Sequence, residues 1–373
     1  MKYLSLLAVM LSVTMLTAPV SAVEYNAHTG FQFDWWDSDD DRKATQFSIP
    51  LTIKGEHQNY SLSLLTGFAR TSIELSDGTD ESLSSLLDTK LNFSYDVPGQ
   101  IPLDILIGLD LNIPTGKTNL SQEELILIMD PDLISITTFG EGFNINPTIN
   151  VVKKWTDWVA GMGIGYLYRG EYDFSENIKS YNPGNVINAS AEARYYSQSD
   201  WDARVFGYFA HYFKDKQDGT EIAQEGKRFL IGFGLNYDQV EWVAGATVRA
   251  VFRDKISKLR ETAGGPSDIT QGNEWVGDLY YIRELNSFTT LKTTFQGTYI
   301  GENDEASGSD QFVGSRKKFT LGIGATRKFE NRITAEANIK GFIMNDAETE
   351  FPESRDSTSY KGLVAMISVS KGF

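Results

Sequence analysis

Apolar and polar residues alternate along most of this chain, in runs longer than a globular strand. Over 101–113, Leu103, Ile105, Ile107, Leu109, Leu111 and Ile113 share one face. Asp104, Gly108, Asp110 and Asn112 share the other. A period of two marks β structure with a single apolar face. The pattern recurs in sixteen segments, near 28–36, 43–54, 58–70, 85–96, 101–113, 145–155, 158–170, 185–197, 201–213, 226–238, 241–253, 274–285, 288–300, 317–329, 332–344 and 361–373. Many run to about 13 residues, whereas globular strands average about 5–6 and a tilted membrane strand needs about 9–11.

The connections sort by parity. After even-numbered segments they are short: 97–100, Thr156-Asp157, Gln198-Ser199-Asp200, 239–240, Asn286-Ser287 and Glu330-Asn331. After odd-numbered segments they are long: 71–84, 114–144, 171–184, 214–225, 254–273, 301–316 and 345–360. A barrel with one rim on each side of a membrane requires that alternation, and a soluble sandwich has no reason for it. The fold class expected is all-β, a closed antiparallel transmembrane β-barrel of about sixteen strands, with fourteen or eighteen as alternatives. Both termini are then expected on the periplasmic side. Past the N-terminus no stretch offers the ~20 apolar residues of a membrane helix.

Aromatic residues fall at strand ends. Trp155, Trp158, Trp201, Trp242, Phe288 and Phe329 flank the short turns, and Tyr168, Phe213, Phe252 and Tyr299 lie near the long loops. Two interfacial girdles are the expected reading. Phe373 closes an amphipathic run, which resembles the terminal signal by which outer-membrane barrels are recognised for assembly.

The N-terminus supplies Lys2, an apolar core from Leu4 to Leu16, and small residues in Val20-Ser21-Ala22. This is the pattern of a cleaved export signal. Residues 1–22 are expected to be removed, leaving 23–373 as one barrel domain in a bacterial outer membrane. Its partners would be outer-membrane lipid, lipopolysaccharide and small-molecule solutes. A net charge of −16 argues against nucleic acid. Apolar positions facing lipid and facing another subunit look alike, so monomer and homo-oligomer both stay open.

There are no cysteines, so thiolate metal sites and disulfides are excluded. Neither a cofactor nor a metal motif is present. Asp37, Asp39, Asp40 and Asp41 lack the glycine and distal glutamate of a calcium loop. An outer-membrane hydrolase is the enzymatic alternative. Of three histidines, His28 and His57 lie at the periplasmic edge, and His211 shares a face with Val205, Phe209 and Phe213. No catalytic set converges.

The polar faces carry charge of both signs: Asp104, Asp110, Glu192, Asp202, Asp278 and Glu336 with Arg194, Arg204, Arg228, Arg249, Arg253, Lys292 and Lys340. They are expected to line a lumen, which sixteen strands leave aqueous unless something fills it. Gly161-x-Gly163-x-Gly165, Gly232-x-Gly234 and Gly322-x-Gly324 share that face. The longest loop, 114–144, holds a capping-box pattern, Ser121 with Glu124, ahead of Leu125, Ile126, Leu127, Ile128 and Met129. One expectation is that it folds inward and narrows the lumen, its apolar run against the glycine-rich wall. The other is that it rests on the rim or dips into lipid.

The stretch Leu109-Asp110-Leu111-Asn112-Ile113-Pro114-Thr115-Gly116-Lys117 resembles the L-x-L-x-x-P-T-G segment of the meta-pathway phenol-degradation family of outer-membrane channels. Gly140-Glu141-Gly142-Phe143-Asn144, with Asn146-Pro147-Thr148 after it, is similar to that family's next loop and strand. The resemblance implies a barrel that passes small, aromatic or otherwise apolar molecules, and it carries over no binding residue. The function expected is a pore for passive diffusion. The alternatives are a barrel with a filled lumen in a structural or surface role, and the hydrolase.

Overall fold

Sixteen antiparallel strands close on themselves in the computed structural model, which describes residues 23–99, 102–258, 271–351 and 354–373. The expected leader, 1–22, lies outside the described residues. The strands are β1 (Glu24–Ser38), β2 (Lys43–His57), β3 (Tyr60–Glu74), β4 (Asp80–Leu86 continuing as Thr89–Val97), β5 (Asp104–Ile113), β6 (Asn144–Lys154), β7 (Trp158–Arg169) and β8 (Val186–Tyr196). They continue as β9 (Trp201–Tyr212), β10 (Arg228–Asp238), β11 (Trp242–Arg253), β12 (Glu274–Asn286), β13 (Thr289–Ile300), β14 (Arg316–Lys328), β15 (Ile333–Asp346) and β16 (Thr358–Gly372). Each pairs with its sequence neighbour. The ring shuts where β16 pairs with β1, from Asn26 opposite Gly372 to Ser38 opposite Tyr360. Closure leaves no free edge, so the strand backbones satisfy one another within hydrocarbon.

The alternation decides which face is outside. Ile164, Val205, Phe233, Leu279, Leu321, Ile343 and Ile367 all point outward and are at least half exposed. An apolar belt of that extent suits lipid. All sixteen expected segments are strands, and the short turns gather on the rim that carries both termini. We call this the terminal rim and the other the distal rim.

Two boundaries differ from expectation. Residues 71–84 are mostly strand: β3 runs on to Glu74 and pairs with Asp80–Leu86 around a tight turn at Gly78. Asp37 likewise ends a strand pairing, opposite Lys43. The β1–β2 and β3–β4 hairpins therefore extend the wall, because alternation continues through residues that polarity alone assigns to loops.

A glycine precedes five distal strand starts by two residues: Gly142, Gly184, Gly226, Gly272 and Gly314. In each case a Cβ would strike backbone of the chain leaving the hairpin partner, such as the Gly170 carbonyl oxygen at 2.5 Å from Gly142. The next residue's carbonyl accepts an N–H from that leaving chain, at 2.8–2.9 Å: Gly170 to Phe143, Phe213 to Asn185, Asp254 to Lys227, Gly301 to Asn273 and Ala347 to Ser315. Only glycine tolerates so close a backbone approach.

The girdles are real and more continuous than expected. At the terminal rim Trp158, Tyr195 and Trp201 touch in series, with ring centroids 5.0 and 5.4 Å apart, and so do Tyr237, Trp242 and Tyr281, at 5.5 and 5.8 Å. At the distal rim Phe229, Phe252 and Trp275 do the same.

Candidate functional site

The lumen is built from the inward residues of every strand, and its distal half holds the loop 114–144. The loop begins with the expected capping box. Glu124 accepts the Ser121 N–H at 3.0 Å, and the Ser121 hydroxyl accepts the Glu124 N–H at 3.3 Å. The helix that follows is a single 3-10 turn, Glu124–Leu127. Lys117 also bonds the Glu124 carboxylate. Burial disfavours that carboxylate, but Lys117 and the Ser121 N–H outweigh it and hold Glu124 below the usual carboxyl range.

Beyond this turn the chain packs inward. Leu127, Met129, Leu133, Ile134 and Phe139 are buried in one cluster with Trp36, Ala44, Ala69, Ile73, Leu83, Phe342, Met344 and Tyr360 of the wall. Burying each large apolar side chain contributes about 1.5–3 kcal/mol. The wall partners lie on β1–β4, β15 and β16. The apolar run does not rest on the glycines of β7, β10 or β14, which corrects that expectation. Those glycines are already covered by neighbouring lumen side chains. Gly165 lies under Asn188 and Asn146, Gly232 under Phe206, and Gly234 under Arg204.

Polar contacts fix the loop in register. The Gln46 amide is fully buried and makes two bonds with Ile136: its Nε2 donates to the backbone carbonyl at 2.8 Å and its Oε1 accepts the N–H at 2.9 Å. Ser135 donates to the buried Asp34 carboxylate at 2.6 Å and accepts from Gln32 at 2.6 Å. Arg316 spans loop and wall, bonding Asp130 (2.6 Å), Asp132 (3.0 Å) and both oxygens of Asp346 (2.6 and 2.8 Å). Lys318 bonds Asp132. Charge-assisted bonds of this kind are the strong ones.

The neck of the loop is where Pro114-Thr115-Gly116 passes Phe139-Gly140-Glu141. A Cβ on Gly116 would overlap the Phe139 carbonyl, and one on Gly140 would lie 2.7 Å from the Gly116 carbonyl carbon. Asp88, at the break in β4, collects the two passing chains. Its carboxylate accepts N–H groups from Gly116 (2.9 Å) and Glu141 (2.7 Å) and the Asn112 amide (2.7 Å). Both quoted stretches of the family resemblance thus form this neck.

The thirteen charged residues expected to line the lumen all fall on the inward face by strand register. Several are paired: Arg194 and Arg204 with Glu192 at 3.2 and 3.9 Å, Arg249 with Asp278 at 3.0 Å, Arg228 with Glu225 at 3.7 Å, and Asp104 with Lys154 at 2.8 Å. Asp110 accepts amide bonds from Asn92 (2.7 Å) and Asn146 (3.0 Å). Lys292, Glu336 and Lys340 stand exposed on the same face. At the distal rim Tyr172, Phe174 and Tyr181 form a ring cluster, and burial pushes the Tyr172 hydroxyl up to about 12.

His211 faces outward, its ring 5.2 Å from that of Phe213. Among the described residues no group of three or more carboxylates or histidines is placed to hold a metal. Of the acidic tip, Asp40 is taken by Arg42 at 2.8 Å and Asp39 by the Ser359 N–H at 2.9 Å.

Asp34, Gln46, Asp88, Ser135 and Arg316 escaped the sequence reading. A signal for the loop's seat was present, because alternation fails there. Trp35-Trp36 and Phe342-Ile343-Met344 are apolar on both faces. An apolar residue on a lumen face needs something to cover it.

A family model described as "Putative MetA-pathway of phenol degradation" matches residues 31–241, more than half of the chain. The chain belongs to this family. The matched span includes the whole inward loop and its neck, so the family's segment carries the feature that shapes the lumen. Among curated proteins no sequence match is found. Solved structures with the same fold include OccK7 (OpdD) of Pseudomonas aeruginosa, at 8% identity, covering 95% of this chain and 100% of that one, with a TM-score of 0.51. A bacterial polysaccharide outer membrane secretin matches at 9% identity, 93% and 98% coverage and a TM-score of 0.47. The CymD monoaromatic hydrocarbon channel matches at 10% identity, 93% and 88% coverage and 0.44. At such identities the likeness is one of fold alone, and the OccK7 match, with a TM-score above 0.5, agrees with the barrel described above.

Proposed function

We propose that the chain is a passive diffusion channel of the bacterial outer membrane for small apolar or aromatic solutes, narrowed by the loop 114–144. Its terminal rim would face the periplasm and its distal rim the exterior. The observation that carries this reading is the loop itself. It seals one side of the lumen yet leaves Leu125, Ile126, Ile128 and Ile136 only partly buried. Phe206, Tyr208, Tyr212 and Tyr280 face the lumen from β9 and β12. Apolar and aromatic side chains on an otherwise polar passage suit such solutes. The paired charges of β8–β12 favour the second reading, a lumen filled by its own salt bridges.

Planar-bilayer recording separates the two. Discrete channels in the intact protein, with larger unit conductance when 121–132 is deleted, support the narrowed pore. An insulating intact protein, folded by its heat-modifiable migration, supports the filled barrel. Equal conductance with and without the segment refutes the narrowing.

A further inference from the structure

Charge is distributed unevenly around the lumen, and one sector differs from the rest. On most of the wall the inward cations have carboxylate partners. On β13 and β14 there is no carboxylate on either face: Thr289–Ile300 and Arg316–Lys328 contain neither aspartate nor glutamate. Of the cations facing inward from β13–β15, Arg316 and Lys318 are spent on the loop, and Lys328 ends β14 at the terminal rim. Lys292 and Lys340 are exposed, and among the described residues neither ammonium forms an ion pair with a carboxylate.

Register brings these two lysines to one place. Lys292 on β13 is opposite Gly324, and Lys340 on β15 is opposite Gly322. The two glycines of β14 therefore lie between them. A Cβ on Gly322 would sit 2.9 Å from Lys340 Cγ and 2.6 Å from Thr294 Oγ1, so the Lys340 stem leans across β14 towards β13. Asn338, opposite Gly324, and Thr294, opposite Gly322, complete a patch of hydrogen-bond donors. By register Glu284 lies one inward step from the level of Lys292 and Glu336 two steps from Lys340, both towards the terminal rim, and Asp278, on the distal side, is taken by Arg249 and Gln296. The patch lies directly below Phe342 and Lys318, where the loop is seated.

We infer that Lys292 and Lys340 form an oxyanion station beneath the loop, and that the channel favours small aromatic carboxylates over their neutral analogues. The inference rests on the pore reading above. The loop's partly exposed apolar side takes the hydrocarbon body, and the lysine pair takes the carboxylate one step further on. Unpaired charge in a narrow passage with low-dielectric walls concentrates ions of opposite sign. In a chain of net charge −16 such a sector does not follow from composition.

The test uses the purified full chain in planar bilayers, with benzoate as the probe anion and benzyl alcohol uptake by liposomes as the neutral comparison. Bi-ionic potentials give the benzoate-to-potassium permeability ratio. The double variant K292Q/K340Q is expected to lower that ratio about three-fold or more, with benzyl alcohol flux unchanged. K90Q serves as a control. Lys90 is also inward, but it lies among Asp88, Asn112 and Asp110, and its replacement is expected to leave the ratio within experimental scatter. An unchanged ratio in K292Q/K340Q, with channels of normal conductance, overturns the station and leaves the pore intact. An insulating wild type overturns the pore and the station together.

Discussion

Arg316→Gln is the sharpest perturbation of the inward loop. The guanidinium is 9% exposed and holds the loop through Asp130 Oδ2 at 2.6 Å and Asp132 Oδ2 at 3.0 Å. A hydrogen bond between charged groups contributes about 1.5–3 kcal/mol when buried. These two carboxylates are about a third exposed, at 35% and 27%, so screening places the pair together at about 2–3 kcal/mol. Since 1.4 kcal/mol is a factor of ten, the population with the loop released rises about 30- to 150-fold. The apolar seat under Leu127, Ile134 and Phe139 still favours the docked state, so the loop becomes intermittent rather than absent. Single-channel recording then shows frequent steps to a higher conductance that are rare in the wild type. Asp346→Asn is the control: it removes the charge and one of the two acceptors that Arg316 meets on β15 but keeps both loop carboxylates, and adds no such steps. A folded Arg316→Gln protein with wild-type conductance and gating would refute the latch.

Three further outcomes follow from named contacts. Glu124 has a carboxyl depressed in the folded state, so its contribution is present above the usual value near 4.5 and is lost as pH falls through the lower folded value. Conductance should therefore change on acidification below about pH 4.5, and Glu124→Gln should flatten that step. Gly116→Val forces side-chain atoms into the Phe139 carbonyl; overpacking of about 1–3 kcal/mol should spread the neck, seen as faster proteolysis within 114–144 in folded protein. Gly226→Ala places a Cβ 2.9 Å from the Lys255 carbonyl oxygen and closer still to that of Asp254; it should lower the temperature of the heat-modifiable shift while leaving unit conductance unchanged.

The barrel was legible because its physics is periodic. Each strand must present hydrocarbon-compatible residues at every second position, so Leu103 to Ile113 or Phe319 to Ala325 declare their faces without any tertiary information. The girdles were legible for the same reason, being tied to strand ends. Loop length by parity gave the strand count. What polarity could not give was the extension of β3 and β4, where Thr71, Ser72 and Ser82 look like loop and are paired strand.

The lumen was half legible. Register assigns a residue to the inward face, so Glu192, Arg249 and Lys340 followed from alternation alone. Their partners did not, because Arg249 meets Asp278 across 29 residues of sequence. The loop's seat was harder still. Arg316 meets Asp130 across 186 residues, and Gln46 meets Ile136 across 90. Those contacts depend on closure of the ring, which no local pattern encodes. The glycines misled in one respect. Gly161, Gly163 and Gly165 do mark space on the lumen face, but adjacent strands fill it.

Polar side chains enclose water while apolar ones meet lipid, and a chain without native cysteine allows this to be tested by single-cysteine labelling. Single cysteines at Thr294 and Phe295, adjacent on β13 and facing opposite ways, are compared under a charged, membrane-impermeant thiol reagent during bilayer recording. Rapid labelling and a step decrease in current are expected for Thr294→Cys, and neither for Phe295→Cys. Equal labelling of both, or current unaffected by labelling at Thr294→Cys, would contradict this arrangement.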